Sequence, residues 1–314
     1  MIVKRPEGII LSLFTAVIFI IVIYHYSYSF FIIGDTEEYQ FNFLQIESNP
    51  YPYGIEFIMP IVMSLIRYIG GDFRDFIFFS LTLWVPIVCW FAYLSVRKPI
   101  FLLTVFFFSS SWFIDNAAFL IRQYYAAYFF LFFIFSEKTS NKVLFFLLSV
   151  FSHLSSIIWL LGYTIIFIRI AKRKKILVTI FIFSMACFFI SSQVFSLFIQ
   201  LVNTISTYGL PDVFARKIAF YNSDMNSVQV GLFRMSLSLI ILTISFLILY
   251  LINLDEKKMN FISFIFFNAS FFLMFSWNIV SASRLGFWSY YFSVPILCFL
   301  INYILELTPK KRSV

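Results

Sequence analysis

Residues 116–156 read NAAFLIRQYYAAYFFLFFIFSEKTSNKVLFFLLSVFSHLSS. Two almost unbroken apolar runs flank a short polar break at Glu137–Lys142, the pattern of two antiparallel neighbours joined by a turn. The halves are only about 13 and 10 residues long, against the roughly 20 that cross a ~30 Å hydrocarbon core as a helix. Arg122 and one of the chain's two histidines, His153, sit among residues that belong in lipid. A charge at membrane depth is costly unless it faces protein or water, so both residues are functional-site candidates.

The rest of the 314-residue chain sets the class. It is 61% hydrophobic and 12% charged, with a mean hydropathy of +0.93, a balance outside the range of soluble globular domains. Apolar runs of spanning length recur, and their continuous rather than alternating pattern excludes a β-barrel. The sequence therefore describes an all-α polytopic membrane protein with about 9–11 transmembrane or half-spanning helices, folded as one integral domain over residues 1–314. The first run, Ile9–Ile33, has no small-residue cleavage site after it and reads as a retained span. The net charge of +8 fits cytoplasmic loops that collect Lys and Arg during insertion, and implies no nucleic-acid partner. Cys89, Cys187 and Cys298 lie inside apolar runs, so neither a disulfide nor a zinc site is expected.

Lys4 and Arg5 place the N-terminus in the cytoplasm, and Lys310-Lys311-Arg312 place the C-terminus there too. The five positive charges of Arg169–Lys175 fix the parity of everything after them. The expected external loops are about 34–54, 115–123, 203–230 and 278–284. Phe76–Val96 and Leu285–Leu307 read as single spans. Two topologies fit the earlier part. In one, Gly54–Gly71 is interfacial or re-entrant and 143–168 is a broken hairpin, which puts Arg122 outside with Asp35 and Arg284. In the other, both stretches cross fully and Arg122 lies inside. The positive-inside rule does not choose between them.

No Walker loop, G-x-G-x-x-G, G-x-S-x-G or H-E-x-x-H occurs, and no His/Cys/carboxylate cluster has metal-ligand spacing, so neither a metal nor a cofactor is expected. What remains is a set of isolated polar residues. Asp35 and Tyr39 share a face if their loop is helical; Glu56 precedes a short apolar helix; Arg122-Gln123 opens another. His153 sits in the break S-H-L-S-S, Arg216 lies in the longest polar stretch, and Arg284 starts the last span with Tyr291 two turns on. Each has a bland reading: a solvated loop acid for Asp35 and Glu56, a snorkelling cation for Arg284, an interhelical hydrogen bond for His153.

As a set, Asp35-x-x-x-Tyr39, the acid before a short apolar helix, Asn116 followed by Arg122-Gln123 and two alanines, His153-Leu154-Ser155, and Arg284 with Tyr291 resemble the EpsG family, bacterial membrane proteins of exopolysaccharide, capsule and O-antigen clusters. The resemblance runs from Asp35 to about Tyr291 and is strongest in the Arg122-Gln123 and His153-x-Ser155 pair. It departs at Asn49–Glu56 (NPYPYGIE), where an adjacent Glu-Pro is expected, so Glu56 enters as a substrate contact only.

The resemblance implies a Wzy-type polymerase of lipid-linked repeat units with a GT-C-like arrangement, which favours the topology with Arg122 outside. It implies a bacterial inner-membrane location and no nucleotide or other cofactor. The implied partners are an undecaprenyl-diphosphate-linked oligosaccharide, the lipid bilayer, a chain-length regulator and a flippase. Asp35, His153, Arg122 and Arg284 are then the catalytic candidates, and Tyr39, Glu56, Gln123, Arg216 and Tyr291 the substrate contacts. Arg122 and Arg284 would stabilise the departing diphosphate, and Asp35 or His153 would serve as base. Three alternatives stand beside this: a GT-C transferase using a polyprenyl-phosphate sugar, a lipid-linked glycan flippase or transporter, and an acyltransferase resting on His153 alone.

Overall fold

A computed structural model describes residues 6–163, 167–206, 230–276 and 278–307, which form two compact units, residues 1–160 and 161–314. The described residues are helices and their connections, the all-α membrane fold that the composition requires. Three helical stretches among them are long and apolar enough to cross a membrane: Pro6–Ser29, Phe73–Ser95 and Leu232–Leu251.

In the N-terminal unit, α1 (Pro6–Ser29) buries only Gly8, Thr15, Phe19, Ile23 and Ser27, a stripe at near-helical spacing, and leaves its remaining apolar surface outward. Small residues let it approach α5 (Val85–Ser95): Gly8 lies where a Cβ would come within 2.8 Å of the Tyr93 ring, and Ser12 donates to the Cys89 carbonyl at 2.9 Å. The helix stops at Ser29, short of the expected Ile33. Arg74 donates to the carbonyls of Ser27 and Phe30, taking up acceptors that the helix end leaves open. The expected span at Phe76–Val96 is two helices, α4 (Phe73–Thr82) and α5, broken at Leu83–Trp84 just before Pro86. It begins three residues early because Asp72 and Asp75 form a reciprocal capping box.

The segments between are short. Helix α2 (Asp35–Leu44) occupies the first expected loop, and α3 (Ile58–Tyr68) has 11 residues, about 16 Å at 1.5 Å per residue. Helix α6 (Leu102–Phe108) and α7 (Ser111–Phe119) meet at a 49° bend. The expected loop at 115–123 is helical on both sides of Leu120, where φ −116 and ψ 40 end α7 and α8 (Ile121–Phe135) begins. Polar Asn116 is accommodated inside α7 because its amide returns to the Trp112 carbonyl at 2.6 Å. Helix α8 packs against α9 (Thr139–Ser152) as the antiparallel pair expected. Fully buried Ala126 and Ala127 let the backbones close, and Ser149 donates to the Ala126 carbonyl at 2.9 Å. At 15 and 14 residues the two are about 22 and 21 Å long, well under the core thickness. Helix α10 (Ser156–Leu161) follows the break at His153.

The C-terminal unit contains α11 (Phe167–Ala171), α12 (Lys174–Ser206, bent at Ile190), α13 (Leu232–Leu251) and α14 (Glu256–Met274), which is buried on nearly every side over Ile262–Leu273. The last expected span, Leu285–Leu307, is instead interrupted. Helix α15 (Ile279–Leu285) occupies the expected loop at 278–284 and is capped by the Asn278 side chain. It is followed by α16 (Phe287–Tyr291) and α17 (Ser293–Leu307). The break falls at Gly286, which lies against the α14 backbone: a Cβ there would come within 2.6 Å of the Phe272 Cα. Buried Asn268 accepts from the freed amides of Trp288 at 2.9 Å and Ser289 at 3.3 Å. Gly286→Ala is therefore expected to destabilise the protein by about 1–3 kcal/mol, because the contact atoms are backbone and cannot swing away. The midpoint of thermal unfolding in detergent checks this, and an unchanged midpoint would mean that the two helices separate freely.

Candidate functional site

The site begins with the loop 45–57, which carries Pro50, Pro52 and, at φ +62, Gly54. A turn closes it, with Gly54 N–H donating to the Tyr51 carbonyl at 3.1 Å and Glu56 N–H to the Tyr53 carbonyl at 3.3 Å. Positive φ suits glycine at this position, and Gly54 redirects the chain so that Glu56 points inward. Asn42 of α2 holds the loop by donating to the Tyr53 hydroxyl at 2.7 Å, and the Phe57 ring packs 4.6 Å from that of Phe151 on α9. Glu56 is thereby delivered to the ends of α8 and α9, where it is 7% exposed.

Three donors converge on its carboxylate. Arg122, in the first turn of α8, donates from Nη1 to Oε2 at 2.9 Å. His153, the residue that ends α9 in an extended conformation, places Nδ1 3.0 Å from Oε1. The backbone amide of Leu154, freed by the helix break, donates to the same oxygen at 2.9 Å. Burial disfavours a charged Glu56, but the hydrogen bonds from His153 and the Leu154 amide and the neighbouring Arg122 cation outweigh it and hold the carboxyl below its ordinary range. The guanidinium lies 4.2 Å from the Tyr53 ring centroid and 5.8 Å from that of Tyr39. Burial pushes the Tyr39 phenol up to about 12 and raises that of Tyr53 further, so both rings are neutral hydroxyl carriers. The Nε–H of Arg122 is buried with no acceptor among the described residues, an orphan donor beside a charged cluster.

Several of the residues singled out in the sequence thus come together. Arg122, His153, Glu56 and Tyr39 share one cluster, and Gln123 is buried beside Arg122 on α8. Asp35, the first residue of α2, shares its face with Tyr39 as its spacing requires, but is itself exposed and outside the hydrogen-bonded core of the cluster. Arg284 and Tyr291 belong to the C-terminal unit. Arg284 is exposed in the last turn of α15 rather than at the start of a span, and Tyr291 is buried in α16. Arg216 lies outside the described residues. Tyr53, Asn42 and the Leu154 amide were missed. Only the aromatic character of the loop hinted at Tyr53, and nothing local marks an amide freed by a helix end. The C-terminal unit also contains Arg234, which donates to the Tyr290 carbonyl at 3.4 Å with its guanidinium 5.6 Å from that ring.

Chemically, the cluster joins a fixed cation, an imidazole and a fully engaged carboxylate in a half-buried setting. Arg122 and His153 keep 24% and 19% of their side chains exposed, enough to meet a ligand. Among the described residues no three His, Cys, Asp or Glu side chains are placed to hold a metal ion. No curated protein and no solved structure matches the chain. A family model does, over residues 10–314, and on that match the chain belongs to the EpsG family.

Proposed function

We propose that this protein polymerises lipid-linked oligosaccharide repeat units of an O-antigen, capsule or exopolysaccharide. It would transfer the glycan from polyprenyl diphosphate to a sugar hydroxyl on the non-cytoplasmic side of a bacterial inner membrane. The observation that carries the reading is that an arginine and a histidine thirty-one residues apart meet on one buried carboxylate at the ends of two helices too short to span. Short helices need a thinned bilayer or a recess above them, and a recess is where a diphosphate and sugars can sit. Membership of the EpsG family supports a role in polysaccharide synthesis.

The chemistry follows from the groups present. A diphosphate leaves readily only if its developing charge is stabilised. A guanidinium does this without titrating, and Arg122 keeps about a quarter of its side chain exposed. Buried Tyr39 and half-buried Tyr53 flank the guanidinium and hold it in place for that task. No nucleotide enters the scheme. Cytoplasmic termini and an external site are the topology that suits an already translocated donor, and a flippase and a chain-length regulator are the partners such a polymerase would work with.

The test is the lipid-linked glycan profile of a strain lacking the gene. Single repeat units on the carrier or on lipid A core are expected, with no longer chains, and the wild-type gene should restore the ladder. Incomplete repeat units would assign the protein to monosaccharide transfer instead. Complete units trapped in the cytoplasmic leaflet would assign it to translocation.

A further inference from the structure

We propose that Glu56 is the positioning residue of this site: it holds His153 with its ring proton on Nδ1, which makes Nε2 the base that accepts the proton of the acceptor hydroxyl. The inference rests on reading the cluster as the site of glycan transfer. It chooses between the two bases that the sequence left open, and it gives Glu56 a role that neither composition nor spacing indicated.

The argument is one of hydrogen-bond accounting. Oε1 of Glu56 accepts from the Leu154 amide at 2.9 Å and lies 3.0 Å from His153 Nδ1. A carboxylate has no proton to offer, so a stable contact requires Nδ1 to carry one. In a neutral imidazole the other nitrogen, Nε2, then holds the lone pair. Glu56 cannot itself be the base, because three donors already occupy it and favour its charged form. Asp35 is exposed at the start of α2, with no group shown to aim it. His153 is fixed at both ends: its backbone amide donates to the Ser149 carbonyl at 3.1 Å and its ring abuts Glu56. A base held by a third group that sets its tautomer is the general arrangement for activating a hydroxyl.

The step balances without any further reagent. The acceptor oxygen forms a bond to the anomeric carbon of the donor as the bond from that carbon to the diphosphate oxygen breaks. The diphosphate leaves with the electron pair, its charge facing Arg122. The hydroxyl proton passes to Nε2, and the imidazolium so formed lies against the Glu56 carboxylate, which stabilises it. Loss of that proton to water resets the site.

The test reads the tautomer directly. The chain has two histidines, so a His25→Gln background leaves one imidazole, provided that the affinity tag contains none. His25 is exposed on α1. Full-length protein labelled with 15N in histidine is reconstituted in lipid and examined at about pH 8, above the ordinary histidine value of about 6.5. One protonated and one bare nitrogen resonate far apart, and proton–carbon correlations assign them. Protonation at Nδ1 is expected. It should persist in Glu56→Gln, whose amide oxygen takes the place of Oε1 beside the Leu154 amide, and be lost in Glu56→Ala, where the ring reverts to the Nε2–H form that free imidazole side chains prefer. Protonation at Nε2 in the unsubstituted site, a doubly protonated ring, or a tautomer indifferent to Glu56→Ala would each overturn the proposal. If Glu56→Ala does not accumulate, the unsubstituted and Glu56→Gln spectra decide alone. A full-length polymer in a His153→Ala strain would overturn the transfer reading of the cluster, whichever tautomer is found.

Discussion

Replacing Arg122 by lysine is expected to cut polymer formation by about 10²–10³-fold, although the charge is kept. Losing one fixed donor to a developing oxyanion typically costs that much, about 3–4 kcal/mol. The side chain does three things at once: it bonds Oε2 of Glu56 at 2.9 Å, lies beside the Tyr53 ring at 4.2 Å, and lies 5.8 Å from the Tyr39 ring. A planar, five-donor fork can do all three, whereas an ammonium is a point charge on a flexible stem and can satisfy one partner at a time. Folding should survive, because Glu56 retains the His153 and Leu154 donors and either cation can balance its charge. A cation that merely reached for headgroups would exchange freely for lysine. The measurement is the glycan ladder of the Arg122→Lys strain at matched membrane-protein level. A ladder of normal length would remove Arg122 from the site.

What the sequence discloses about this fold depends on how local the signal is. The α8–α9 pair is legible because a polar turn between two apolar runs admits few readings, and the same runs are too short to span. That Arg122 and His153 should meet follows from that hairpin alone. Glu56 is different. It reaches the cluster only through a loop whose course is set by two prolines, a positive-φ glycine and the Asn42–Tyr53 hydrogen bond, none of which has a periodicity. Its position relative to α8 and α9 is a long-range property, and an isolated loop acid looks the same whether solvated or buried. The break at Gly286 is hidden for a related reason. Glycine in an apolar run is common, and only the Phe272 backbone of another helix makes it obligatory here. Hydropathy likewise sees the apolar run of Phe76–Val96 but not the interruption at Leu83–Trp84, since the residues on both sides are equally apolar. Asp35 and Arg284 stand out by residue type and position in the chain alone, and both are exposed helix-end residues.

If Arg122 and His153 act in one step, the double variant Arg122→Ala/His153→Ala should form, per amount of membrane protein, no less polymer than the worse of the two single variants. Each alone is expected to leave single repeat units on the carrier and no ladder, since a lost oxyanion donor and a lost base are each worth on the order of 10²–10⁴ in rate. Independent contributions would multiply; residues that serve a single transition state do not, because once one is gone the other has nothing left to assist. The geometry gives the physical reason for coupling. Both side chains are held by the same carboxylate, so removing either also leaves Glu56 free to move toward the remaining donor and carry it off line. Stability follows a different rule. His153→Ala leaves the buried carboxylate the Arg122 cation and Arg122→Ala leaves it the His153 hydrogen bond, whereas the double variant leaves it only the Leu154 amide, so protein level should fall further in the double than in either single. Measuring ladder and membrane-protein level together therefore separates the two effects. Activity per protein that falls in the double by the product of the single losses would show two independent sites. A normal ladder in His153→Ala would leave that residue as a hydrogen bond tying the end of α9 to the loop and nothing more.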